Sequence, residues 1–264
     1  MVDLYKKTYG FEDLREIMAY LRRPGEGCPW DAAQTHASIR KNFIEEAYEV
    51  CEAIDQRDNT HLCEELGDVL LQVAFHTCIA EEEGAFTMED VCTGICKKLI
   101  QRHPHVFGAH GKLDTPEETY AVWDAVKAQE KQQKSYTDAM NDVARSLPAL
   151  MYAEKVQGRA KKSGFDWPAV SGAMDKVREE AAELQECLDR GTDISEELGD
   201  LLFAAVNVAR MQSVDPEEAL VRATRKFMER FALVEQMAGE QLRTMSVEDM
   251  TALWEKAKKQ TKRS

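Results

Sequence analysis

Apolar residues recur along this chain at intervals of three and four, whereas hairpin signals are scarce. Phe43, Ala47, Val50, Cys51 and Ile54 form one such stripe, and Leu62, Leu66, Val69, Leu70 and Val73 form another. Leu198, Leu201, Leu202 and Ala205 repeat the pattern later in the chain. Each stripe reads as a core face, so the helices are expected to pack on one another in an all-α bundle. Thr115-Pro116-Glu117-Glu118 and Asp215-Pro216-Glu217-Glu218 each join a cap, a proline at the first helical position and a carboxylate three residues after the cap. Thr87 and Ser246 start helices in a similar way. The pattern predicts helices near 11–22, 40–56, 60–83, 88–102 and 116–134, with a loop over 23–36. Further helices are expected near 148–162, 172–190, 194–212, 216–238 and 247–261. Segment 135–146 is polar and reads as a linker, dividing the chain into domains 1–134 and 147–264.

Both domains spell one ordered set of charged and aromatic residues. The first copy runs Glu45-Glu46-Ala47-Tyr48-Glu49, Glu64-Glu65-Leu66-Gly67-Asp68, Lys98, Arg102, Trp123 and Lys127. The second runs Glu179-Glu180-Ala181-Ala182-Glu183, Glu196-Glu197-Leu198-Gly199-Asp200, Lys226, Arg230, Trp254 and Lys258. The repeat unit is too long for a solenoid, so this is a duplicated domain.

Composition narrows the partners. A net charge of −14 speaks against a nucleic-acid surface but not against nucleotides, because bound metal turns an acidic pocket into an anion site. Seven cysteines show no CxxC pair, which reads as buried thiols acting as small hydrophobes in a reducing cytoplasm. No apolar run approaches the roughly 20 residues that cross a bilayer, and no signal pattern opens the chain. A soluble, cytoplasmic protein is expected.

Glu46 and Glu49 share one side of a helix, as do Glu65 and Asp68. If the two helices pack face to face, the four carboxylates meet at the rim of the seam. Glu180, Glu183, Glu197 and Asp200 would do the same in the second copy. Crowding like charges is unfavourable unless a cation joins them, and an all-oxygen set suits Mg²⁺ or Mn²⁺ rather than zinc. Gly67 and Gly199, inside helices, suggest that a helix or ligand approaches closely there. Lys98 with Arg102, and Lys226 with Arg230, lie one turn apart and match either a phosphate chain or neighbouring carboxylates. Trp123 with Lys127, and Trp254 with Lys258, would put an indole beside a base and an ammonium beside a phosphate; a core tryptophan is the plainer alternative. Trp30 in Gly27–Thr35 and Trp167 in Gly164–Pro168 read either as walls for a nucleobase or as tryptophans burying an ordinary turn. His103, His105 and His110 match no metal spacing and read as structural.

Together these residues resemble the MazG-type nucleoside triphosphate pyrophosphohydrolases, two-domain members of the all-α NTP pyrophosphatase superfamily. The likeness rests on GCPWDxxQT (Gly27 to Thr35), EExxE with ELGD in both halves, RHPHVF (Arg102 to Phe107), RSLPALM (Arg145 to Met151) and GFDW (Gly164 to Trp167). It implies Mg²⁺-dependent hydrolysis of NTP or dNTP to monophosphate and pyrophosphate, and a homodimer. Glu46, Glu49, Glu65, Asp68, Glu180, Glu183, Glu197 and Asp200 would be metal ligands. Lys226, Arg230, Trp254 and Lys258 would contact substrate, with Lys98, Arg102, Trp123 and Lys127 as their counterparts. Glu45 and Glu179 would orient the attacking water or brace the ligands. The alternative is a regulator that binds NTP–Mg without turnover in one or both halves. A di-iron protein ranks far below, since no His stands three residues after a Glu.

Overall fold

The computed structural model describes residues 5–108, 115–130 and 135–261, the side chains of 117, 121, 124 and 127–130 excepted. Every regular element among them is helical. The chain divides into two compact units, Met1–Lys127 and Ala128–Ser264. The first contains α1 (Phe11–Leu21), α2 (Pro29–Ala33), α3 (Arg40–Gln56), α4 (Asn59–Glu82), α5 (Met88–Arg102), α6 (Pro104–Phe107) and most of α7 (Pro116–Glu130). The second contains α8 (Tyr136–Asn141), α9 (Ala149–Lys161), α10 (Val170–Arg190), α11 (Ser195–Met211), α12 (Pro216–Ala238), a short 3-10 turn and α13 (Val247–Thr261).

In the first unit α4 is the hub, packed by α1, α3 and α5. Its buried cluster is Met18, Ile39, Phe75, Cys78 and Ile79, flanked by Leu21 and Leu71. In the second unit α11 packs on α9 and α10, and α12 packs on α9 and α13. The expected caps form: Thr87 Oγ1 accepts from the Asp90 amide, Asp215 from Glu218, and Ser246 from Asp249.

Two of the segments expected to lack helices contain short ones. The segment expected as a linker contains α8, because Ser135 and Asp138 form a reciprocal capping box and α8 packs on α9. The loop 23–36 contains α2, with Pro29 at its first position. Gly27 is required just before it, since a Cβ would sit 2.2 Å from the Leu21 carbonyl oxygen.

The apolar stripes do not form the core of the isolated chain. Phe43, Ile54, Leu66, Leu70, Leu198 and Leu202 are all exposed. The helix pairs instead close on small residues such as Ala53 and on inward-facing carboxylates. Gly67 and Gly199 likewise face open space, where a Cβ would meet nothing within 4 Å. Of the described helices, none is long and apolar enough to cross a membrane.

Candidate active site

Helix α3 carries Glu46 and Glu49, and its neighbour α4 carries Glu65 and Asp68. An oxygen from each of Glu46, Glu49 and Glu65 lies within 4.8 Å of the others. Glu180 and Glu183 of α10 meet Glu197 of α11 within the same limit. Asp68 and Asp200 stand outside these triads, although the charge of Asp68 still acts on Glu46.

Burial makes both clusters electrostatically unfavourable. Glu65 is 8% exposed and Glu180 4%. The Glu46 carboxyl is held above its ordinary range, first by burial and then by the charges of Asp68 and Glu49. Glu183 is raised in the same way, first by burial and then by its hydrogen bond to Glu180 and the charges of Glu180 and Glu197. The chain supplies partial relief. His61 Nε2 lies 2.8 Å from a Glu65 oxygen, and Lys176 Nζ lies 2.6 Å from Glu180 and 2.8 Å from Glu179. Glu65 Oε2 is buried without a hydrogen-bond partner. Converging oxygens, resisted ionisation and an orphaned carboxylate oxygen together fit a hard divalent cation.

The remaining expected residues fall at several places. Glu45 is exposed and paired with Lys41 at 2.7 Å, and Glu179 is exposed and paired with Lys176. Lys226 and Arg230 lie on α12, and Trp254 and Lys258 on α13, the helix it packs against. Trp254 lies 5.2 Å from Phe227, Arg230 Nε donates to Thr261 Oγ1 at 3.1 Å, and Lys258 pairs with Glu255. Among the described residues neither Lys226 nor Arg230 forms an ion pair with the carboxylate cluster. In the first unit Lys98 is exposed, Arg102 is half-buried, and Trp123 packs edge-on against His103 at 5.0 Å and Tyr120 at 5.6 Å. The Lys127 side chain and His110 lie outside the described residues.

The two tryptophan loops are each tied down by an arginine. Arg22, 6% exposed, donates to both oxygens of Glu82 and to the carbonyls of Asp31 and Gln34, while Trp30 meets Phe75 edge-on at 6.4 Å. Arg210 grips Asp166 through two hydrogen bonds of 2.5 and 3.3 Å. Beside that grip a cavity of about 310 Å³ opens between α9, α11 and the loop carrying Trp167. Sequence reasoning missed Lys176, His61, Arg22, Gln157, Asn207 and Arg210. Lys176, one turn before Glu180, and His61, one turn before Glu65, left a visible spacing signal.

In both units a helix bearing EExxE pairs with one bearing ELGD, and the pair gathers carboxylates. The MazG nucleotide pyrophosphohydrolase domain matches residues 34–107 and 170–234. The chain is 47% identical over 251 residues to the nucleoside triphosphate pyrophosphohydrolase/pyrophosphatase MazG of Thermotoga maritima, covering 94% of this chain and 95% of that one. It is 43% identical over 255 residues to the nucleoside triphosphate pyrophosphohydrolase of Escherichia coli K12, covering 94% and 96%. It also matches the uncharacterized protein YabN of Bacillus subtilis, at 45% over 260 residues, across 96% of this chain and 53% of that one. The chain belongs to the MazG family of nucleotide pyrophosphohydrolases.

Proposed function

We propose that this protein hydrolyses nucleoside triphosphates, ribo or deoxy, between the α and β phosphates, releasing monophosphate and pyrophosphate. The observation that carries this reading is the pair of carboxylate triads, built alike in both units and under-neutralised by their own chain. Glu46, Glu49 and Glu65 with Asp68, and Glu180, Glu183 and Glu197 with Asp200, would hold Mg²⁺, or Mn²⁺ in its place. Bound there, the cation offsets charge on phosphate oxygens and makes water more acidic.

The chain's own residues do the rest. Lys226 and Arg230 offset charge on the departing pyrophosphate, with Lys258 beside them and Trp254 as an aromatic support. Lys98, Arg102, Trp123 and Lys127 have the corresponding tasks in the first unit. Trp30 and Trp167 stand on the loops nearest the base, and Glu45 and Glu179 orient water at the margin of each triad. The exposed Leu66, Leu70, Leu198 and Leu202 suit burial against a second copy, as a cytoplasmic homodimer would provide. Phosphorus NMR of the products, with Mg²⁺ and a panel of NTPs and dNTPs, tests the reaction. Orthophosphate and nucleoside diphosphate as products would replace it with a different hydrolysis, and retained binding without turnover would favour the regulator.

A further inference from the structure

Glu65 is the most buried carboxylate of the first cluster, and its two oxygens stand differently. Oε1 lies 2.8 Å from His61 Nε2, whereas Oε2 is buried with no hydrogen-bond partner. Glu65 is 8% exposed and His61 is half-buried. An ionised carboxylate only accepts, so His61 Nε2 carries the hydrogen in that contact whatever the charge of the ring.

His61 is itself fixed in place. It stands in the first turn of α4, where the Asp58 side chain accepts from the Thr60 and His61 amides at 2.9 and 3.1 Å. One turn of helix then sets the imidazole beside Glu65.

The second unit is built otherwise. One turn before Glu197 stands Asp193, which accepts from the Ser195 amide and hydroxyl at 2.9 and 2.6 Å. An acceptor at that place cannot brace a carboxylate. The brace comes from the other helix of the pair, α10, where Lys176 holds the buried Glu180.

We infer that His61 is a positioning residue of the first cluster: by holding Oε1 it leaves Oε2 as the oxygen that Glu65 gives to the cation. This rests on the reading of Glu46, Glu49 and Glu65 as ligands. Held in this way, Glu65 grips with one oxygen, and a two-oxygen grip is disfavoured. Mg²⁺ and Mn²⁺ are small and accept such a ligand, whereas Ca²⁺ is larger, takes more oxygens and often draws both from one carboxylate. His61 therefore selects for a small ion in the first unit, and Asp193 has no such part in the second.

The test uses the full chain carrying Glu180→Gln and Glu183→Gln, which disables the second cluster. Calorimetry without nucleotide compares Mn²⁺ with Ca²⁺. His61→Leu removes the donor and is expected to weaken Mn²⁺ binding about tenfold and Ca²⁺ binding by less, which narrows the preference. His61→Gln still offers an N–H one turn before Glu65, and is expected to keep most of the affinity and the preference. Equal loss in both variants would make His61 a direct ligand and overturn the positioning role. Unchanged affinity and preference in His61→Leu would overturn it as well. A chain with His61 intact that binds neither ion would overturn the reading of the first cluster as a metal site, and the role of His61 with it.

Discussion

Lys176 lies one turn before Glu180 on α10 and holds its carboxylate at 2.6 Å, so a cation from the chain itself stands at the second acidic cluster. Its ammonium is held above its ordinary pKa by hydrogen bonds to Glu179 and then Glu180, and it stays charged across the working range. The first cluster has no lysine at the matching place and leans on His61 instead. Replacing Lys176 with Met should therefore lower the melting temperature of the metal-free protein and enlarge the rise produced by Mn²⁺. The ion pair is partly exposed, so solvent screening keeps the metal-free loss small. Thermal melts with and without Mn²⁺ read both effects, and an unchanged metal response would show that Lys176 does not compete for the site.

The raised carboxyls of Glu46 and Glu183 set a pH dependence. Each folded pKa lies above its unfolded value, so the ionised group opposes folding at neutral pH, and that opposition is relieved as pH falls through the folded pKa. Divalent metal relieves the same opposition at neutral pH by pairing the charge. The melting-temperature gain from Mg²⁺ should consequently be largest near neutrality and shrink on acidification, as protons replace the ion. Melts from pH 7 down to pH 5 check this, and a gain that grows in acid would contradict it.

Asp166 and Arg210 fix the loop that carries Trp167. Asp166→Ala leaves a largely buried guanidinium without its carboxylate, and should cost about 3 kcal/mol in denaturant unfolding. Hydrogen bonding to Arg210 is the chief reason that the Asp166 pKa is depressed. Its contribution is thus complete above the ordinary aspartate value and disappears as pH falls through the depressed one. Wild type and variant should converge in stability in strong acid and differ most near neutrality.

Gly172→Ala would bring a methyl to within 2.7 Å of the Trp167 ring, so the ring must leave its seat. Near-ultraviolet dichroism should change while the far-ultraviolet helix signal is kept, at a cost of about 1–3 kcal/mol.

Much of this was legible in the chain. Period, caps and the doubled EExxE and ELGD strings placed the main helices and brought Glu46 to Glu65 and Glu180 to Glu197. The stripes misled where period alone cannot separate a buried face from an exposed one: Leu66 and Leu202 are as apolar as Phe75, yet only Phe75 is buried. Segment 135–146 hid α8, because a helix this short shows its cap and no period. The Arg210–Asp166 and Gln157–Phe203 pairings span 44 and 46 residues, and no local spacing announces contacts of that range.

The most direct measurement is pyrophosphate release from ATP with Mg²⁺ by four full-length chains: wild type, Glu65→Gln, Glu180→Gln and the double variant. Loss of one buried ligand carboxylate should silence its own unit, so the double variant should fall to background while its helical signal is retained. A double variant that releases pyrophosphate as fast as wild type would contradict the assignment of the acidic clusters as the seat of the reaction.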